Sequence, residues 1–494
     1  MKYCGAKASN EKWSPSNAVH SPTGLLHYTT TAGTTYLYEK QPEPELGQSD
    51  VALAPINHLP DDVLCYIFTL HCREKIDAVR LPFNHSNVPP QVVISHVCSV
   101  WRHAILNFSS LWNDLEVFMD CAEDGDMLMK IVHDWLFRAG SLPCTLTLDF
   151  RVYDGTLGAL KQDRWYSSIV KHLISQFRFR KLSTPWSSNH LAQFLQLPAE
   201  KLSCVEDLHI CLINPPSLSN FGVLPSQAPL DSFKKLTRLT SLRLDQSLRR
   251  VFYGLVHSED SVFVHVPWHQ IRHIHLSIPT SVLLCFTILH GSSMVLETCS
   301  LVVAGCYGPW DEIQSLFHSP PILDPFLLWI KMPNLKALEI GSGDRSYRRI
   351  VSFSTLVDMQ YFSNMKLEEF GYYKHSRTMD VGHLLTTFPS LKRVEVLAWN
   401  LLDNGTISQL GSGLIAPCLE ELVIRCCDIN IGKLLRMVKG RSALAKRDGW
   451  QKNGPTPFRY VKLYWEEILE DYYKESIEEI NRYYDVQLIV EPWT

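Results

Sequence analysis

Pro333-Asn334-Leu335-Lys336-Ala337-Leu338-Glu339-Ile340 carries the spacing that organises this chain: an apolar residue, a second three positions on, a third two further. Leu338 and Ile340 are two positions apart. On an extended backbone they share a face, and Glu339 points to the other. The same spacing returns in Leu239/Leu242/Leu244, Leu391/Val394/Val396 and Leu419/Leu422/Ile424. Weaker copies are Val205/Leu208/Ile210, Ile271/Ile274/Leu276, Leu296/Cys299/Leu301, Leu367/Phe370/Tyr372 and Phe458/Val461/Leu463. Spacing alone is cheap in a chain that is 46% hydrophobic, but three copies also place a proline two residues before the leading apolar residue: Pro333, Pro389 and Pro417.

Each copy predicts a short strand, with Leu338, Ile340, Val394 and Val396 turned inward and Glu339 and Glu395 outward. Return helices are predicted over 191–197 and 383–387. The copies resemble divergent leucine-rich repeats, although their mean interval of about 32 residues exceeds the 20–29 usual for that family. The resemblance implies an α/β solenoid over 118–465. After it, 466–484 reads as an acidic helix with Ile468, Tyr472, Ile477 and Ile480 on an intermittent apolar face. Val486 to Val490 reads as a last strand, and 466–494 together as a cap for the final repeat.

A different pattern occupies the N-terminal third. In Leu59-Pro60-Asp61-Asp62-Val63-Leu64-Cys65-Tyr66-Ile67-Phe68, Pro60 suits the first helical position, and Asp61 and Asp62 place negative charge at the positive end of the helix dipole. Val63, Leu64, Ile67 and Phe68 then fall on one helical face. Residues 73–90 break the pattern with charges and with Pro82, Pro89 and Pro90. A second helix follows, carrying Ile94, Val97, Cys98, Trp101 and Ile105. Ser109-Ser110-Leu111-Trp112 reads as a short third turn, and 115–118 turns strand-like.

This order of Leu59-Pro60, Val63-Leu64, Ile67-Phe68, Cys98, Trp101-Arg102 and Leu111-Trp112 resembles an F-box of the fungal F-box-like kind, with a connector at 73–90 longer than a compact F-box needs. Trp135 to Pro143 resembles the helix–turn segment that follows in such proteins, and Cys144 to Phe150 alternates like a strand. The resemblance implies a small helical domain over 56–117 that docks on the Skp adaptor of a cullin ubiquitin ligase. It assigns adaptor binding to Leu59, Pro60, Val63, Leu64, Ile67, Phe68, Val97, Cys98, Trp101, Leu111 and Trp112. The repeat array would then hold an unidentified target protein. Two alternatives stand beside it: a repeat scaffold without ligase association, and a hydrolase assembled from scattered residues.

Composition narrows the classes. The chain has 494 residues, enough for two or three domains, and 47 basic against 51 acidic residues. Neither a nucleic-acid nor a membrane partner is expected from that balance. No apolar run of signal-peptide type follows Met1, and the most apolar stretch, 282–289, is shorter than the roughly 20 residues a bilayer needs. A cytoplasmic or nuclear protein is expected. Residues 1–50 are polar and turn-rich and are expected to be disordered. The 14 cysteines include no Cys-x-x-Cys pair, and buried reduced thiols are the simplest reading.

Catalytic signatures are absent: no Gly-x-Ser-x-Gly, no Walker loop, no Gly-x-Gly-x-x-Gly. No cofactor and no metal site are expected. His265, His269, His273 and His275 bracket Trp268, but no carboxylate or cysteine completes a ligand set, so they read as solvent-facing residues beside a strand. Cys418, Cys426 and Cys427 read as packing residues. Gly341-Ser342-Gly343-Asp344 reads as a turn. Arg249-Arg250 and Arg348-Arg349 are too small for a nucleic-acid footprint.

Overall fold

The three-then-two spacing becomes a parallel sheet in which every strand lies beside its sequence neighbour. The computed structural model describes residues 59–74, 79–81, 88–120, 125–151, 169–186, 188–212, 230–246, 265–280, 282–303, 323–342, 351–373, 380–400, 402–426, 430–447, 454–465 and 471–492. Its strands run in chain order: β1 (Val79–Leu81), β2 (Asp114–Asp120), β3 (Cys144–Arg151), β4 (Phe179–Trp186), β5 (Asp207–Leu212), β6 (Ser241–Gln246) and β7 (His273–Thr280). The order continues through β8 (Thr298–Val303), β9 (Ala337–Ser342), β10 (Glu369–Tyr373), β11 (Arg393–Asn400), β12 (Glu421–Cys426), β13 (Tyr460–Trp465) and β14 (Gln487–Pro492). All pairings are parallel.

Parallel neighbours cannot be joined by a hairpin, so each link must cross back over one face of the sheet. Helices serve as several of these returns: α4 (Gly125–Arg138), after the N-terminal α1 (Asp61–Glu74), α2 (Pro90–Ser95) and α3 (Ser99–Asn107), and then α5 (Ser188–Leu195) and α6 (Val282–Ser292). Further along come α7 (Phe353–Ser363), α8 (Val381–Thr387), α9 (Asn404–Ser412), α10 (Ile431–Arg447) and α11 (Asp471–Tyr483). The predicted returns at 191–197 and 383–387 correspond to α5 and α8. The core lies between these helices and one face of the sheet.

Register makes that core continuous. Leu115, Leu146, Leu182, Leu208, Leu242, Ile274, Cys299, Leu338, Phe370, Val394, Leu422, Val461 and Leu488 form a single rung across thirteen strands, each at most 3% exposed. The middle residue of every copy read from the sequence lies on this rung. The third residues, from Ile210 and Leu244 to Ile424 and Leu463, form the next rung along the same face. Leading residues such as Leu239, Leu335, Leu391 and Leu419 are fully buried in the turn before each strand.

Those turns carry a second ladder. The Lys336 N–H donates to the Glu297 carbonyl, Glu368 to Lys336, Lys392 to Glu368, Glu420 to Lys392 and Arg459 to Glu420, all at 2.7–2.8 Å. Arg272 precedes Glu297 in the same series. Side-chain charge therefore alternates in sign from one turn to the next, and Arg272–Glu297 (3.4 Å), Lys336–Glu297 (2.9 Å), Lys392–Glu368 (2.8 Å) and Arg459–Glu420 (3.2 Å) pair across it.

Several expectations need correction. The sheet begins before residue 118, because β2 pairs along its whole length with β3 and Val79–Leu81 pairs with β2. The 73–90 connector thus contains a strand. Trp112 is the leading residue of a further copy, Trp112/Leu115/Val117, and all three are buried. Of the helix expected over 466–484, the described part is Asp471–Tyr483; it buries Ile480 and leaves Tyr472 exposed. The last strand expected at Val486 to Val490 is present as β14, which continues both inner rungs, Leu488 beside Val461 and Val490 beside Leu463. Cys418 is exposed, not packed. The 1–50 tail, Cys427 and both arginine pairs lie outside the described residues.

Candidate functional site

The N-terminal helices divide the expected adaptor-binding residues into two layers. α1 presents two stripes at helical spacing. Leu64 and Phe68, with Cys65 and Cys72, turn inward and are at most 6% exposed. Val63, Tyr66, Ile67 and Leu70, at i, i+3, i+4 and i+7, turn outward and are 38–66% exposed. Val93 on α2, Val97 in the turn after it, and Val100 on α3 are also left at 41–57%. Pro60 is exposed as well.

The remaining expected residues support this face from beneath. Leu111 and Trp112 are 5% and 1% exposed; the Trp112 ring stacks edge-on against Trp135 at 4.7 Å, its Nε1–H donates to the Ile105 carbonyl (2.8 Å), and Arg138 lies 4.6 Å from its centre. Leu59 and Trp101 are half-buried, with the Trp101 ring 5.2 Å from Phe68. Cys98 caps α3: its Sγ accepts from the Trp101 backbone N–H at 3.5 Å. Arg102 Nε donates to the Ser95 carbonyl (2.8 Å) and ties α3 to α2. Leu64, Phe68, Leu111 and Trp112 are thus buried beneath the exposed apolar side chains. Tyr66, Leu70, Val93 and Val100, which the sequence reading did not single out, are exposed beside Val63, Ile67 and Val97 in the sequence. The signal for Tyr66 and Leu70 was present in the 63/66/67/70 spacing.

A second cluster lies on the sheet face turned away from the core. Ser183, His209, Arg243 and His275 occupy one outward row on β4 to β7. Asp245 stands two residues beyond Arg243. The His209 Nε2 is 2.8 Å from Asp245 Oδ2, and its Nδ1 is 2.7 Å from Ser183 Oγ. A carboxylate only accepts, so Nε2 carries a proton, and in the neutral imidazole Nδ1 accepts from the Ser183 hydroxyl. Arg243 Nε donates to the same Oδ2 (2.6 Å), and His275 Nε2 is 3.3 Å from Oδ1. Burial pushes the Asp245 carboxyl up, but the hydrogen bonds from His209 and Arg243, with His275 close by, outweigh it and hold the group well below the usual carboxylate range.

The other histidines of that region behave differently. His269 and His273 are exposed, and His273 Nδ1 is 3.1 Å from Thr298 Oγ1. Among the described residues no group of three or more His, Cys, Asp or Glu side chains is arranged to hold a metal ion. Burial pushes the thiols of Cys65, Cys72, Cys144 and Cys211 up to about 11, which leaves them protonated and poorly nucleophilic at neutral pH. No helix among the described residues is long and apolar enough to cross a membrane.

No protein-family model matches the chain, and no curated protein matches it.

Proposed function

We propose that this chain is a substrate-recognition subunit of a Skp–cullin–F-box ubiquitin ligase. In this reading α1 to α3 form an F-box, and the sequential parallel sheet with its returns is a leucine-rich-repeat-like solenoid that holds the target. The observation that carries it is the outward apolar set Val63, Tyr66, Ile67, Leu70, Val93, Val97 and Val100, on helices whose sequence order resembles that family. Fully withdrawing one such side chain from water is worth about 1.5–3 kcal/mol. Three short helices that leave seven such side chains in solvent offer apolar surface suited to a partner. The ligase chemistry would take place on other subunits, and this chain would act by proximity, raising the local concentration of a target lysine.

The test is co-purification of the full chain with the Skp adaptor, beside Val63→Asp/Ile67→Asp and Leu59→Ala/Pro60→Ala variants checked for folding by circular dichroism. Capture of the wild type and loss in the folded variants supports the reading. Capture of neither wild type nor variants overturns it and leaves a repeat scaffold without ligase association.

A further inference from the structure

We propose that Ser183 is an acyl-accepting nucleophile, activated by His209 and Asp245, for oxygen esters or thioesters. The inference goes beyond target recognition and does not depend on it. Three adjacent parallel strands in register bring a hydroxyl, an imidazole and a carboxylate into one chain of hydrogen bonds, 2.7 Å and 2.8 Å long. The general logic of an activated serine needs three things: a base within hydrogen-bond reach of the hydroxyl, the correct tautomer of that base, and a group that fixes the tautomer. All three are met. Either imidazole nitrogen can be the base so long as the other N–H is held, and here Asp245 holds Nε2–H.

The surroundings separate this node from the rest of the outer sheet. Farther along the same face the charged side chains close on ion pairs, Arg393–Glu395 and Lys462–Glu491, with no imidazole in either pair. Asp245 Oδ2 also takes Arg243 Nε, so two donors hold its orientation, with His275 beside its other oxygen. This keeps His209 from rotating away from Ser183. Thr147 pairs with Ser183 across the β3–β4 ladder and sets a second hydroxyl on the same face, on the side opposite His209. Ser183 itself is 8% exposed, whereas the His209 and His275 side chains above the sheet are 25% and 37% exposed. An acyl group would approach over these imidazoles.

The step balances without any further reagent. Ser183 Oγ forms a bond to the acyl carbon as its proton passes to His209 Nδ1. The bond from that carbon to the leaving oxygen or sulfur breaks, and the leaving group takes the proton from Nδ1. Water then attacks the acyl-serine by the same route in reverse, giving the carboxylic acid and free Ser183.

The experiment treats the full chain with 4-nitrophenyl acetate, follows 4-nitrophenolate release, and locates acetyl groups by peptide mass spectrometry. Ser183→Ala, His209→Gln and Ser300→Ala are run in parallel, with circular dichroism as a folding check. Ser300 lies on the same outward row, beside His275 and beyond the Ser183–His209–Asp245 chain, so its variant should match the wild type. The expected result is acetylation at Ser183, slowed about 100-fold or more in His209→Gln. Absence of acetyl at Ser183 in acid-quenched samples together with 4-nitrophenolate release as fast in folded Ser183→Ala as in wild type, or an equal rate of Ser183 acetylation in folded His209→Gln, overturns the proposal.

Discussion

Arg441 Nη2 lies 2.9 Å from the carbonyl oxygen of Ala416, a residue held at φ +42°. Arg441 sits on α10 with no exposed surface, and its guanidinium also donates to the carbonyls of Thr456, Leu410, Pro417 and Leu419 at 2.7–3.1 Å. It covers the Phe458 ring at 4.6 Å. Burial pulls its pKa down to about 10, so it is still protonated at neutral pH. One cation thus ties α10 to the turns that lead into β12 and β13. Ala416 is in the left-handed region that a Cβ disfavours by about 1–2 kcal/mol, and the Arg441 bond is among the contacts that keep it there.

Arg441→Met is therefore expected to lower stability by about 3 kcal/mol, since several buried carbonyls lose a charged donor at once. Ala416→Gly is expected to raise stability by up to about 1 kcal/mol, because glycine accepts a positive φ without strain. Urea titrations of both variants check the pair. Equal stability of Arg441→Met and wild type would remove the hub.

The two stripes of α1 predict a clean separation of effects. Leu64→Ala leaves a hole in a fully buried site and should cost about 2–5 kcal/mol of stability. Ile67→Asp, on the outward stripe, should change stability by about 0.5 kcal/mol or less. Adaptor capture should respond in the opposite order, with Ile67→Asp abolishing it. Urea midpoints and co-purification on the same two variants make the comparison.

The array was readable because its signal is redundant. A register slip of one residue would turn every inner side chain to solvent, so Leu242, Leu338, Val394 and Leu422 repeat the same constraint, and all nine copies fell in one rung. The missed copies had unusual members. Trp112 looked like the end of the helical segment, and Phe179/Leu182/Thr184 places a polar residue on the inner rung. The exposed stripe of α1 was half-readable. Helical periodicity gives two stripes on α1 but not which one the sheet end covers, so Leu64 and Ile67 could not be told apart. The Ser183–His209–Asp245 chain was invisible in the sequence, because successive members are 26 and 36 positions apart and meet only through strand pairing.

The alternating turn charges predict a salt-dependent response. Glu297 lies between Arg272 and Lys336, and the hydrogen bond from Lys336 is the main cause that holds its carboxyl below the usual range. Glu297→Lys puts a third cation between two others and should cost about 1 kcal/mol at low ionic strength. Screening should remove most of that loss by about 1 M salt, where the Debye length is near 3 Å. Thermal melts at several salt concentrations check it. A loss that does not change with salt would mean that packing, not charge, is responsible.

Asp245 predicts how the outer cluster responds to acid. Its carboxyl is depressed in the folded chain relative to the ordinary value of about 3.9. A group of this kind stabilises the fold fully above its unfolded pKa, and the contribution falls away as pH drops through that value toward the folded one. Asp245→Asn should therefore be less stable than wild type at pH 7. The gap between the two should be constant down to about pH 5 and should narrow progressively below about pH 4. Urea titrations at pH 7, 5, 4 and 3 measure the gap directly. A gap that stays the same at pH 3 as at pH 7 would show that the substituted amide loses shape or hydrogen-bond fit, and that the charge of Asp245 does not hold His209, His275 and Arg243 together.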